Sequence, residues 1–324
     1  MQDNIKITFY EPWMDSQIIE LFCRQYGNST EQFTQFFSDF YNHPYQHNES
    51  IRLVAISDKT VAGFASFCKW PYVIGGKKVR SFQCGNVIIS EDFRGKGLYN
   101  RMLNYLNEQH EQLSIDLIIG FPIKEIVKLY LKSGWTNPFN ISWYIKPVNV
   151  FSLIMPLNKK RMESLFTVNP SHVVNVPGHK TELQKTEEFY NWHKAYNAIF
   201  DYYYFKVEKG TEFVEFALKL NIRKKVIKEL IIGDVNTNST DAGYVTEAFK
   251  QLRKKAFKTG FVTLLSIAIN DLNKDAVVLK AIQNLGYKKI EKDIKFIYKN
   301  FRVDEAMVSK PDNWILYRRD LDTW

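Results

Sequence analysis

Cysteine and paired metal ligands are scarce in this sequence of 324 residues. Its three cysteines, Cys23, Cys68 and Cys84, are an odd number and lie far apart, which argues against both a disulfide framework and a cysteine zinc site. His43 and His47 have a metal-ligand spacing for a helix, but Pro44 between them favours a loop. We therefore expect free core thiols and no metal.

Long hydrophobic runs are also absent. No apolar stretch approaches the roughly 20 residues of a membrane span. The first residues, MQDNIKITFYEPWMD, have neither the basic region nor the apolar core of a secretory signal. With 45% hydrophobic and 24% charged residues, the composition is typical of a globular protein long enough for two domains. We expect a cytoplasmic protein without a membrane partner.

The positive charge is unevenly placed. Residues 1–150 contain 15 Lys and Arg against 14 Asp and Glu, whereas the remainder contains 29 against 21, so most of the formal charge of +9 lies in the second half. No aromatic and basic pattern of a nucleic-acid-binding module accompanies it, which argues against a nucleic-acid partner. A basic field that attracts small anionic molecules is the better interpretation.

One stretch, residues 84–112, combines three local patterns in a useful order. The β-branched run Val87-Ile88-Ile89 predicts a buried strand, the segment Phe93-Arg94-Gly95-Lys96-Gly97 predicts a turn, and apolar residues at helical spacing follow from Leu98 onward. The unpaired N–H groups at a helix start attract anions, and glycines let the backbone approach a ligand closely. Arg94 and Lys96 add positive charge, so the pattern predicts a diphosphate site. An ordinary exposed turn is the alternative.

The same segment resembles the coenzyme A pyrophosphate loop of the GNAT superfamily of acyl-CoA N-acyltransferases. The family pattern is Arg or Gln, two residues, Gly, one residue, then Gly or Ala; Arg94 and Gly97 fit it, and Tyr99 departs from it. The resemblance implies that acyl-CoA, with acetyl-CoA the expected form, is the co-substrate. The residues implied in binding it are Ile88, Ile89, Arg94, Gly95, Lys96, Gly97, Leu98 and Tyr99.

A second motif, Leu129-Tyr130-Leu131-Lys132-Ser133-Gly134-Trp135, resembles the signature on the last helix of the same superfamily. The tyrosine of that signature commonly faces the coenzyme sulfur, which implies that Tyr130 is the acid for the departing thiolate. A core tyrosine is the alternative. The preceding Gly120-Phe121-Pro122 resembles a subgroup of two-domain, sugar-type N-acyltransferases, from which Ile123 departs because an asparagine usually stands there.

The order of predicted elements indicates an α/β fold built of two tandem GNAT-like domains with mixed sheets, the second degenerate. Residues 1–150 form the predicted acyl-CoA-binding catalytic domain and 151–180, with three prolines, a linker. Residues 181–324 form the degenerate domain with a docked, aromatic C-terminal segment. Its predicted elements are a strand at 227–235, a helix at 242–258 and a strand at 261–269. Residues 236–241 replace the basic glycine turn with neutral and acidic residues, so we expect no second coenzyme site.

The base that accepts the amine proton is less well marked than the acid. The backbone at Val87 to Ser90 would polarise the thioester if, as the resemblance implies, this strand diverges from the one starting at Ile115. Glu91 is one candidate base, with a surface ion pair to Arg94 or Lys96 as the alternative. Asp320, Asp322 or the Trp324 carboxylate would be others if the C-terminus reached the site; a tail that only packs is the alternative.

Two classes of function remain open. In the first, the chain is an N-acetyltransferase that acts on a small amine such as an amino sugar or sugar nucleotide. The acceptor would lie between the halves, against Trp70, Tyr72, Trp192 and His193, with Tyr196 and the tyrosines at 202–204 nearby. In the second, the chain is a non-catalytic acyl-CoA-binding or assembly protein. The oligomeric state, including a homo-oligomer, is left open.

Overall fold

The computed structural model describes residues 5–168, 180–197 and 201–321. The first half contains β1 (Ile5–Phe9), α1 (Asp15–Tyr26), α2 (Thr30–Phe40), β2 (Ile51–Ser57), β3 (Thr60–Lys69), β4 (Tyr72–Ile74), β5 (Lys77–Val79), β6 (Ser81–Ile89), α3 (Leu98–Gln109), β7 (Leu117–Gly120), α4 (Lys124–Lys132) and β8 (Thr136–Pro147). The sequence predicts a strand, two helices, three strands, a helix, a strand, a helix and a strand, and this order is observed with the short strands β4 and β5 as additions.

The remaining chain contains α5 (Lys159–Glu163), β9 (Glu182–Leu183), α6 (Glu187–Tyr196), β10 (Tyr202–Lys209), β11 (Glu212–Arg223), β12 (Ile227–Thr237), α7 (Ala242–Lys258), β13 (Leu264–Ile269), α8 (Val277–Asn284), β14 (Lys288–Asn300) and α9 (Glu305–Val308). The described helices include none that is both long and apolar enough to span a membrane.

One mixed sheet of eleven strands runs through both halves, in the order β1-β2-β3-β6-β7-β14-β8-β13-β12-β11-β10. The parallel pairs are β6 with β7 and β12 with β13, one in each half. This mixed α/β architecture with a repeated unit confirms the fold class predicted from the sequence.

The two halves exchange their last strands at the centre of this sheet. β14, from the end of the chain, pairs with β7 of the first half, and β8, from the first half, pairs with β13 of the second. β8 and β14 pair with each other between them. β8, the last strand before the predicted boundary at residue 150, thus pairs with strands of the second half on both sides, and that boundary stays a prediction.

Three hydrophobic clusters hold the helices to the sheet. On one face, a single cluster includes side chains from both halves, among them Phe64 on β3, Phe296 on β14 and Ile231 on β12. The aromatic stripe of α2 packs into it, with Phe33, Phe37 and Phe40 buried. On the other face, α3 and α4 cover the first half and α7 and α8 the second, each pair over its own cluster. Apolar burial therefore ties the halves together chiefly on the first face.

Candidate active site

The candidate site begins where β6 and β7 separate. The two parallel strands pair only from Ser81 with Leu117 to Gln83 with Ile119. Beyond that point, β6 continues along β3 with a register shift, because Phe67 faces Cys84 and Ala65 faces Val87. The extra residue at Gly85-Asn86 is a β-bulge, which bends and twists the strand. Within the described residues, no strand pairs with β6 on its β7 side past Gln83.

Gly85 permits this bulge. A Cβ atom built there would lie 2.5 Å from Ser66 Oγ and 3.1 Å from Cys68 Sγ, closer than packed side chains tolerate. The neighbouring Asn86 donates a hydrogen bond from Nδ2 to the Tyr41 hydroxyl at 2.9 Å. That hydroxyl also lies 2.9 Å from Ser66 Oγ. A buried polar network therefore fixes the bulge on the face covered by α1 and α2.

The chain turns from β6 into α3 through two glycines in the left-handed region. Gly95 has φ +73° and Gly97 has φ +70°, and a Cβ built at either would meet nothing within 4 Å. Gly97 is the N-cap of α3, without a side-chain cap, and no acidic residue stands in the first turn. The start of α3 is thus uncapped and has open space at both glycines, which is the local arrangement that binds phosphate oxygens.

Hydrogen bonds hold the Arg94 side chain beside this turn. Its Nε donates to the Ile89 carbonyl at 3.0 Å, and its terminal nitrogens contact Gln25 Oε1 and, at 3.3 Å, Glu91 Oε1. The Lys96 ammonium lies 5.2 Å from the centre of the Phe93 ring. Both cations therefore border the uncapped helix start, as the sequence predicts for an anion site.

The candidate acid Tyr130 lies at the other side of the strand separation. Its hydroxyl is 2.6 Å from the Tyr99 hydroxyl, and both side chains are buried, with 3% and 9% exposure. The two rings meet nearly edge-on, at 84°, with centroids 5.7 Å apart. Burial, with smaller effects of Cys84 and the other tyrosine, raises the pKa of Tyr130 well above its ordinary value. Tyr130 therefore keeps its proton at physiological pH.

Cys84 connects the tyrosine pair to the strand edge. Cys84 is the first residue of β6 beyond the paired segment, and it interacts electrostatically with both Tyr99 and Tyr130. Its Sγ also approaches the end of β7, since a Cβ built on Gly120 would lie 3.4 Å from it. The tyrosine hydroxyls thus lie close to the point where the strands separate.

Tyr99 is the residue that departs from the family pattern. The residue stands where the pattern has Gly or Ala, and its side chain points into the cluster under α3 and α4. The ring does not crowd the helix start, because Gly97 remains open. Sequence reasoning placed Tyr99 at the coenzyme and missed its contact with Tyr130, which joins residues 31 positions apart.

Several sequence-predicted site residues lie elsewhere. Glu91 lies in an exposed turn, with its side chain 86% exposed and its carboxylate 3.3 Å from Arg94. This is the surface ion pair given as the alternative to a catalytic base. Ile88 is buried on the α1 and α2 face, whereas Ile89 is partly buried beside α3 and α4.

The four aromatic residues expected to contact an acceptor lie in the core between the halves. Trp70, Tyr72, Trp192 and His193 are at most 1% exposed. Trp70 Nε1 donates to the Asp320 carbonyl at 2.9 Å, and Trp192 Nε1 donates to the Phe40 carbonyl at 3.0 Å. Burial is the main reason that the pKa of His193 is well below its usual range. These side chains are used in packing, and their contact with an acceptor stays a prediction.

In the second half, β12 and β13 separate in the same way, but the C-terminal segment lies along β13 beyond that point. β12 and β13 pair from Glu229 with Leu264 to Ile232 with Ile267. β12 then bulges at Gly233, since Ile232 faces Leu218 and Asp234 faces Ala217. The free edge of β13 is taken by the C-terminal segment, where Ile269 bridges Tyr317 and the Asn270 N–H donates to the Leu316 carbonyl at 3.3 Å.

Buried ions hold this C-terminal segment in place. The Lys185 ammonium lies 2.7 Å from Asp234 Oδ2 on β12 and 2.7 Å from Asp320 Oδ1 near the chain end. Burial lowers the pKa of Lys185, but the two carboxylates outweigh this effect, and the pKa is above its ordinary value. Asp320 is therefore engaged in the second half. The other proposed C-terminal bases, Asp322 and Trp324, lie outside the described residues.

The helix start of the second half is closed as well. Asp241 is the N-cap of α7, and its Oδ1 accepts a hydrogen bond from the Gly243 N–H at 2.7 Å. A capping carboxylate occupies the N–H groups that would bind phosphate and repels an anion. This arrangement agrees with the prediction of a single coenzyme site.

Comparison with known proteins identifies the first half. Residues 15–137, less than half of the chain, match the family described as acetyltransferase (GNAT) domain. No curated protein matches the chain significantly.

Solved structures match over most of the chain. A GCN5-related N-acetyltransferase from Anabaena variabilis matches with a TM-score of 0.62 and 13% identity, covering 92% of this chain and 73% of that chain. A GCN5-related N-acetyltransferase from Kribbella flavida matches with a TM-score of 0.55 and 11% identity, covering 95% of this chain and 74% of that chain. Saccharomyces cerevisiae N-myristoyltransferase with bound myristoyl-CoA matches with a TM-score of 0.51 and 11% identity, covering 99% of this chain and 85% of that chain.

At such low identity, these structures establish the fold alone. The family match establishes more for the first half, and it confirms the resemblance found in the glycine turn and the Tyr130 motif. Residues 15–137 therefore match a GNAT acetyltransferase domain, and the chain as a whole has a mixed α/β fold similar to that of GCN5-related N-acetyltransferases.

Proposed function

We propose that the chain transfers an acetyl or other short acyl group from acyl-CoA to the amine of a small acceptor, with the coenzyme bound only by the first half. The observation that carries this proposal is the contrast between the two repeats. In the first, no strand among the described residues fills the separation, and α3 starts at an open, uncapped glycine turn. In the second, the C-terminal segment and the Asp241 carboxylate close the equivalent positions.

The chemistry proceeds by attack of the neutral amine on the thioester carbonyl. Backbone N–H groups along the freed edge of β6 would polarise that carbonyl, as an oxyanion hole does. When the tetrahedral intermediate collapses, the electron pair of the C–S bond goes to sulfur, and Tyr130 gives its proton to the sulfur. The proton lost by the amine nitrogen restores Tyr130 through solvent. The products are the acylated amine and free coenzyme A thiol.

For the acceptor, we propose an amino sugar or sugar nucleotide as the first class to test. The support is the segment Gly120-Phe121-Pro122 at the end of β7, which resembles the sugar-type subgroup. Ile123, which departs from that subgroup, is 65% exposed and supplies an apolar side chain at this point. Small peptides with a free N-terminus belong in the same panel, because a myristoyltransferase shares the fold.

A non-catalytic acyl-CoA-binding protein is the second candidate. The observation that favours it is the position of Glu91, whose exposed carboxylate pairs with Arg94. The reaction is then left without an assigned base for the amine proton.

The experiment is a thiol-release assay with acetyl-CoA and a panel of amino sugars, sugar nucleotides, polyamines and peptides, with product mass measured in parallel. An acceptor whose mass increases by one acetyl group, with one thiol released per product, would establish the transfer. Tight coenzyme binding without any acylated product across the panel would establish the binding protein instead.

A further inference from the structure

We infer that Tyr99 is a positioning residue for the proposed acid, its hydroxyl holding the Tyr130 hydroxyl towards the thioester sulfur and stabilising the phenolate left after proton transfer. This inference rests on the proposed function, because it assigns Tyr99 a part in the same acyl transfer.

The contact geometry supports a direct interaction. The two hydroxyl oxygens are 2.6 Å apart, the short end of the range for O–H to O hydrogen bonds, and either hydroxyl can be the donor. The nearly perpendicular rings and the packing of Trp135 against Tyr130, with centroids 5.0 Å apart, restrict both side chains. The Tyr130 hydroxyl oxygen therefore has a defined position before any substrate arrives.

The environment makes such a partner necessary. Tyr130 lies among apolar side chains of the cluster under α3 and α4, where a bare phenolate would be costly. If Tyr130 gives its proton to sulfur, its oxygen becomes negative at this buried position. Tyr99 can then donate its own hydrogen to that oxygen, and a hydrogen bond to a charged acceptor is roughly twice as strong as a neutral one.

The proton and electron count is complete without a further reagent. The C–S bond breaks with its electron pair on sulfur, and the Tyr130 proton forms the S–H bond. Tyr99 keeps its proton throughout and only donates a hydrogen bond. The acceptor nitrogen releases the proton that returns to Tyr130.

The test is a double-substitution cycle of Tyr99→Phe, Tyr130→Phe and the pair, with Tyr105→Phe on the same helix as the control. Tyr105 packs at the edge of the same cluster, against Phe9. We expect Tyr99→Phe to lower kcat roughly tenfold or more while KM for acetyl-CoA changes less than about threefold. The control should change neither value by more than about twofold.

The cycle also separates positioning from a merely structural role. Because Tyr99 acts through the Tyr130 hydroxyl, Tyr99→Phe should lower kcat no further when Tyr130 is already phenylalanine. A fully additive loss, an unchanged kcat in Tyr99→Phe, or a loss confined to KM would each overturn the inference while the transfer itself stands. A parent protein that binds acetyl-CoA but acylates no amine would overturn the proposed function and this inference together.

Discussion

At the scale of single residues, the proposed chemistry depends on a few residues around one strand separation. Gly85 allows the bulge, Gly97 opens the helix start, and Tyr130 faces the freed edge through Cys84. These residues come from β6, the following turn and α4. Gly97 and Tyr130 were assigned roles from the sequence, whereas Cys84 was expected only as a core thiol and Gly85 was given no role. The fold brings them together because β6 and β7 are neighbours in the sheet.

The role of Tyr130 is tested by Tyr130→Phe. The substitution removes the proton donor and keeps the ring in its cluster, so acetyl-CoA affinity should hardly change while kcat falls by roughly 10²-fold, the usual scale of acid catalysis. Steady-state kinetics at saturating acetyl-CoA measure this. A kcat within about threefold of the parent would rule out the acid role.

The pH dependence of the parent provides a second check of the same residue. Burial raises the pKa of Tyr130 well above its ordinary value of about 10, so the acid form persists throughout the usual assay range. Deprotonation of Tyr130 should therefore cause no fall in kcat below about pH 10. A basic limb near pH 8 that disappears in Tyr130→Phe would contradict this assignment.

At the scale of elements, the C-terminal segment is held in the second half by one buried cation between two carboxylates. Lys185→Met would leave Asp234 and Asp320 buried without their cation. Breaking a buried ion pair by removing one partner costs about 3–5 kcal/mol of unfolding free energy. Denaturant unfolding measures the loss. Lys159→Met is the control, because Lys159 pairs with Asp201 at the surface and should cost about 1 kcal/mol or less.

The sign of the pH effect follows from Asp320. Burial raises the pKa of Asp320 in the folded protein, and Lys185 opposes that rise. Without Lys185, the pKa of Asp320 in the folded protein rises further above its value in the unfolded chain. The loss of unfolding free energy therefore develops as the pH increases from the unfolded to the folded pKa, and it is small below about pH 4. The stability difference between Lys185→Met and the parent should therefore be largest near neutral pH. A difference that grows on acidification would contradict this account.

Local elements were largely predictable, whereas their long-range pairing was not. The helix predicted at 242–258 matches α7, and the strand predicted at 227–235 corresponds to β12, because each has a clear periodicity and clear ends. β14 was not singled out, since lysines and acidic residues interrupt its apolar pattern. Its insertion between β7 and β8 depends on contacts 143 to 183 positions apart, and the pair Ile297 and Gly120 is separated by 177 positions.

The candidate site was predictable to a similar extent. Arg94 to Gly97 and Tyr130 lie in local motifs whose chemistry can be read directly from the sequence, and α3, which starts after Gly97, packs with α4 over one hydrophobic cluster. The hydrogen bond between Tyr99 and Tyr130 depends on how α3 and α4 pack, which no local pattern contains. Similarly, Trp70 and Trp192 have the composition of a ligand site but pack against each other, with ring centroids 5.3 Å apart.

At the scale of the whole molecule, the exchange of β8 and β14 makes the halves interdependent. The sheet is continuous, and one hydrophobic cluster contains side chains of both halves. We therefore expect a single cooperative unfolding transition, with acetyl-CoA raising the melting temperature of the entire chain through binding linkage. Differential scanning calorimetry measures this. Two separated transitions, only one of them shifted by the coenzyme, would show that the halves unfold independently.

The most direct test of the central claim is isothermal titration of acetyl-CoA into the parent, Gly97→Asp and Gly210→Asp. Gly97→Asp places a carboxylate at the open start of α3, whereas Gly210 has a similar φ of +61° and open surroundings in the second half. The control therefore carries a similar backbone strain and the same added charge. We predict one site per chain in the parent, about 10²-fold weaker binding in Gly97→Asp, and parent affinity in Gly210→Asp. Two sites per chain, or unchanged affinity in Gly97→Asp, would contradict the assignment of a single coenzyme site to the first half.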